Sequence, residues 1–176
     1  MSAGRKKNLV LGIGNDILTD DGIGPKIVRY IQTDMIMGNT DFLTSSLGGL
    51  DILDLISGYE NVVIIDAIKT KNGVPGDVYL FEADDFKETL HLSNLHDVSF
   101  LTALELGKRL GMDLPRKLWI IAIEIIEDLV FSENFTDPVS EKYPYILSEI
   151  KSFLESELVN VQSRNTSKNI ARAKIE

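Results

Sequence analysis

The segment NLVLGI, residues 8–13, is a short apolar run ended by glycine. A strand with one wet face alternates, so an unbroken run of this length reads as a strand buried on both faces. After a glycine-rich stretch the period changes. In GPKIVRYIQTDMI (24–36), Ile27, Val28 and Ile31 continue a helical spacing begun at Ile23, and Pro25 sits where a first turn tolerates it. DFLTSSL (41–47) predicts a second, weaker strand, and LDILDLISG (50–58) a short helix closed by Gly58. NVVIIDAI (61–68) is the strongest strand signal, β-branched through its centre and turning acidic at Asp66. The loop KTKNGVPG leads into GDVYLFEA (76–83), whose polar interruptions suit a position near an edge. DVSFLTALELGKRLG (97–111) predicts a helix stopped by Gly111, and KLWIIAIEII (117–126) another strand. DPVSEKYPYILSEIKSFLESEL (137–158) carries the last helix, bent or restarted near Pro144.

Strands alternating with helices imply βαβ units. The predicted fold class is α/β: one domain over residues 1–160, a three-layer sandwich. Its sheet has about five strands, mostly parallel and twisted, with helices on both faces. No repeat or linker divides it.

Composition narrows the function. The 176 residues include no cysteine, which removes disulfides, thiolate metal sites and a cysteine nucleophile. No apolar run reaches the length of a membrane span, and the start lacks a signal-peptide core, so no membrane association and a cytoplasmic location are expected. The net charge is −9. Nucleic acid needs a basic face and is not an expected partner. Residues 161–176 differ from the rest: Arg164, Lys168, Arg172 and Lys174 stand against Glu176. They are read as a basic, flexible tail. The expected state is a monomer.

Candidate chemistry gathers in LGIGNDILTDDGIG, residues 11–24. Gly12 and Gly14 begin a dinucleotide fingerprint, but Ile17 stands where the third glycine belongs. The Gly-Lys-Ser/Thr ending of a phosphate loop is absent, and Asp20 and Asp21 repel phosphate. Those two aspartates suit the cap of the following helix. Two further residues fall at ends of elements on the same predicted sheet edge: Asp66 closes VVIID, and His96 stands just before a helix. Each alone reads as a cap or turn residue. Together, two carboxylates and an imidazole form a donor set for a borderline divalent metal with open positions. The other histidine, His91, reads as a surface residue.

LGIGNDILTDDGIGPKIV, VVIIDAI and LHDVSF, in this order and spacing, resemble the hydrogenase maturation endopeptidases over about residues 8–155. The resemblance implies a single α/β domain acting late, after nickel enters the large-subunit precursor of a nickel–iron hydrogenase, and removing its C-terminal extension. It implies that Asp21, Asp66 and His96 contact the metal, with Asp21 an accepted variant of a glutamate. Nickel arrives on the substrate's cysteines rather than as a tightly held cofactor. Asp21 and Asp66 are the expected catalytic carboxylates, Asp66 first as general base. Where many members carry Asp-Gly-Gly-Thr, this chain has Thr44-Ser45-Ser46-Leu47-Gly48-Gly49, so Gly48 and Gly49 remain as expected substrate contacts without the acid. No His-Glu-x-x-His or Gly-x-Ser-x-Gly motif occurs, and no motif supports a serine–lysine pair of Ser45 or Ser46 with Lys69. Two other readings stay open: a non-enzymatic nickel- or nucleotide-binding module, and a related peptidase with a different protein substrate.

Overall fold

The apolar runs become strands that are covered from both sides. The computed structural model describes residues 6–46, 51–82 and 95–159. The expected Gly48, Gly49, His91 and the tail 161–176 lie outside the described residues. The elements are β1 (Lys6–Ile13), α1 (Ile23–Asp34), β2 (Thr40–Ser45), α2 (Asp51–Ile56), β3 (Tyr59–Ile68), β4 (Val78–Glu82), α3 (Leu95–Arg109), β5 (Lys117–Glu124) and α4 (Asp137–Leu154). A π-helical turn, Glu155–Val159, continues α4.

The sheet runs β2-β1-β3-β5-β4. β1 is parallel to β2 and β3, and β3 to β5. β4 pairs antiparallel along the outer side of β5. The fold is therefore the expected α/β sandwich with five strands. The edge position of β4 agrees with its polar interruptions, while its reversed direction adds a detail.

Alternation along the strands feeds two cores. Val10, Val63, Ile65, Trp119, Ile121 and Ile123 face α1 and α4, where Ile27, Ile31, Val139, Ile146 and Ile150 meet them. Leu9, Leu11, Val62, Ile64, Leu118 and Ile120 face α2 and α3, where Ile52, Ile56, Phe100 and Leu104 meet them. The uninterrupted apolar runs of β1, β3 and β5 follow from this double coverage.

Of the two outcomes expected at Pro144 the restart is corrected, and so is the place of His96. α4 passes through Pro144 without restarting. Buried Val139 before the proline and Ile146, Ile150 and Leu154 after it anchor both halves to one core, which outweighs the missing amide. As described, α3 spans Leu95–Arg109, so His96 lies within the helix rather than before it.

Candidate active site

The strand order reverses between β1 and β3, because α1 carries the chain out to β2 and α2 returns it to the other side of β1. Such a switch point opens a crevice at the carboxyl ends of the strands, where ligands of open α/β sheets bind. Gly24, in the first turn of α1, lies against both strand ends. A Cβ there would stand 2.4 Å from the Ile65 carbonyl oxygen and 2.5 Å from that of Ile13. Gly14 has φ +139°, and a Cβ on it would meet the Asp21 carbonyl oxygen at 2.0 Å. Glycine at these points lets the β1–α1 loop fold tightly on itself and start a helix directly on the sheet.

Asp21 is half-buried in this loop, and its Oδ2 accepts the Asn15 N–H at 2.7 Å. Asp20 is fully buried and points elsewhere. Its Oδ1 accepts the Thr136 N–H at 2.7 Å. Its Oδ2 accepts the Thr136 hydroxyl at 2.8 Å, and the Glu127 and Ile126 amides at 3.2 and 3.3 Å. The reading of the two aspartates as caps of α1 is thus corrected. Gly22 is the N-cap and has no side chain to offer, and the Ile23 N–H is taken by the Asp20 main-chain carbonyl at 3.0 Å. Asp20 instead ties the β1–α1 loop to the β5–α4 loop.

Asp66 lies one residue beyond the last pairing of β3 with β1 and opposite Ala122 of β5. Its Oδ1 accepts the Ala67 N–H at 2.8 Å. Strand alternation puts Asp66 on the face shared with Val62 and Ile64, the side covered by α2 and α3. α3 packs over this face through Phe100 and Leu104. Its C-terminal loop meets the start of β3, with the Gly58 N–H bonded to the Asp113 carbonyl and Arg116 N–H to the Glu60 carbonyl. A 15-residue helix rising about 1.5 Å per residue is long enough for its N-terminal end, with the backbone of His96, to reach the level of the carboxyl edge. The side chain of His96 is outside the described residues. Among the described residues, no three His, Cys, Asp or Glu side chains form a group that could hold a metal ion.

Glu124 was not singled out from the sequence. It is 2% exposed at the end of β5, opposite Ile68 and on the same face as Asp66. Its carboxylate accepts the Thr70 N–H at 2.7 Å and hydroxyl at 3.0 Å, fixing the β3–β4 loop. Burial, and next the charge of Glu124, push the Tyr79 hydroxyl above its usual range. The signal that picked out Asp66, an acid closing a buried apolar strand, applies equally to Glu124.

Lys69 donates to Asp128 at 2.8 Å, a bond that raises its pKa and keeps it protonated. Ser45 pairs with Ile13 on the far side of β1 from β3. A serine–lysine pair is therefore not built here, since the amine is charged and two strand spacings separate the groups.

A family model for hydrogenase maturation proteases matches residues 25–152. That stretch includes Asp66 and His96 and begins just past the loop bearing Asp21. Similar proteins include the Hydrogenase 2 maturation protease of Escherichia coli (strain K12), 30% identical over 122 residues, 65% of this chain and 71% of that one. The hydrogenase expression/formation protein HupD of Thiocapsa roseopersicina is 29% identical over 138 residues, 76% of this chain and 61% of that one. Among solved structures, the hydrogenase maturating endopeptidase HybD from E. coli superposes with a TM-score of 0.69 at 24% identity, covering 85% of this chain and 93% of that one. The NiFe hydrogenase maturation protease HybD from Thermococcus kodakarensis gives 0.62 at 24% identity, covering 84% and 98%. The structural likenesses speak for the fold, and the family match speaks for descent: the chain belongs to the hydrogenase maturation protease family.

Proposed function

We propose that this chain is an endopeptidase that removes the C-terminal extension from the nickel-loaded precursor of a nickel–iron hydrogenase large subunit. Family membership supports the peptidase activity and sets the non-enzymatic readings aside. The observation that supports the site is the meeting of the Asp21 loop and the end of β3 at the switch point, where Gly24 lies against the Ile13 and Ile65 carbonyls.

In this reading Asp21, Asp66 and His96 complete the coordination of nickel that the precursor brings on its own thiolates. This sequence has no cysteine, so the soft donors come from the substrate. Two carboxylates and one imidazole hold free nickel weakly, which lets the product leave. Nickel recognition docks the scissile bond in the crevice. Asp66 takes a proton from water as the oxygen attacks the peptide carbonyl carbon, and the proton passes to the departing amine as the C–N bond breaks. The chain acts as a cytoplasmic monomer in this reading.

The test is incubation with nickel-loaded and nickel-free precursor, followed by precursor mobility on a gel. Cleavage of the loaded form alone is expected, and equal cleavage of both removes nickel recognition. Asp66→Asn and His96→Ala are expected to stay folded and to slow processing by about a hundredfold or more. Normal processing by both variants refutes the site assignment.

A further inference from the structure

Leu129, Val130 and Phe131 are three consecutive large apolar residues in the β5–α4 loop, and they are 78%, 56% and 75% exposed. Ile17, at the tip of the Asp21 loop, is 50% exposed. The two tips adjoin. The Ser132 N–H donates to the Ile17 carbonyl at 3.0 Å, and the Thr19 N–H to the Ser132 carbonyl at 3.0 Å.

A slack loop folds such residues inward. This one is held open by its own hydrogen bonds. Glu127 Oε1 accepts the Leu129 and Val130 amides at 2.8 and 3.1 Å. The Val130 carbonyl accepts the Thr19 hydroxyl at 2.6 Å. Asp20 clamps both ends, through Ile126 and Glu127 on one side and Thr136 on the other. With its backbone groups so committed, the loop presents its apolar side chains outward as a fixed feature.

Resting on the proposed function, we infer that this ridge is the docking surface for an apolar segment of the substrate protein next to the scissile bond. Continuity with the active-site loop favours this occupant, because the ridge and Asp21 belong to one hydrogen-bonded unit. Size favours it too. Four such side chains fit the roughly 300–600 Å² class of the largest patches on monomers, below the roughly 800 Å² per partner of a stable dimer. A contact of that size suits a substrate that must be released.

The test is steady-state processing of nickel-loaded precursor by the unsubstituted chain, by Leu129→Ser/Phe131→Ser, and by Ile36→Ser/Leu110→Ser as a control. The control removes exposed apolar residues outside this ridge, beyond the C-terminal ends of α1 and α3. Melting temperature and sedimentation are measured on all three. The ridge variant is expected to need at least tenfold more precursor for half-saturation, a change larger than any fall in maximal rate. Its melting temperature and sedimentation are expected to match those of the unsubstituted chain, and the control to behave normally throughout.

Unchanged half-saturation in the ridge variant overturns the docking inference alone. A clear fall in its melting temperature overturns it in favour of cover by the chain itself. A dimer that the substitutions dissociate overturns it in favour of a second copy. Failure of the unsubstituted chain to process any precursor overturns the proposed function and this inference with it.

Discussion

Asp20 accepts four hydrogen bonds from groups 106 to 116 residues further along the chain. Three of the donors are backbone amides. A buried amide without a partner costs about 1–3 kcal/mol. Asp20→Ala is expected to lower stability by roughly 3 kcal/mol or more, read from the urea midpoint. Asp21→Asn changes one half-buried carboxylate and is expected to leave the midpoint nearly in place while abolishing processing. If the two variants behave alike, the division of labour between the neighbours is wrong. Tyr143 offers a pH test. Burial raises its pKa above the ordinary value near 10. Between that value and the raised one, the folded chain keeps a phenolic proton that the unfolded chain loses, so stability falls as pH rises. It is fully present below pH about 10. Tyr143→Phe is expected to flatten this alkaline loss in denaturation curves taken from pH 8 to 11.

At the level of elements, the close approach of α1 to the strand ends decides the shape of the crevice. Gly24→Ala pushes a methyl into two main-chain carbonyls that cannot both withdraw. A loss of about 1–3 kcal/mol or more is expected, with processing reduced because the Asp21 loop moves with the helix start. A stable and fully active Gly24→Ala variant contradicts that geometry. The helix and strand periods were readable from the sequence because each depends on neighbours a few residues away. The inclusion of His96 in α3 was harder to read, since the first turn of a helix carries little periodic signal of its own.

For the whole molecule, the described fold ends with Leu158 buried against α4's core. The sequence reading of 161–176 as a basic tail outside the domain makes a direct prediction. A chain ending at residue 160 is expected to melt at the same temperature as the full chain, whereas one ending at residue 154 loses Leu158 and melts lower. A lower melting temperature for the first truncation places the tail within the folded unit.

The sequence by itself determined the alternation of strands and helices, the doubly buried centre of the sheet, and the family. Hydrophobic period is a local property, and the motif blocks are contiguous. It also put Asp21 and Asp66 on one edge, because parallel strands all end on the same side. Tertiary structure alone decided the order β2-β1-β3-β5-β4, the reversal of β4, and the partners of Asp20 and Glu124. Those outcomes rest on pairings between segments far apart in the chain, and nothing local distinguishes a carboxylate that will meet distant amides from one left facing the crevice.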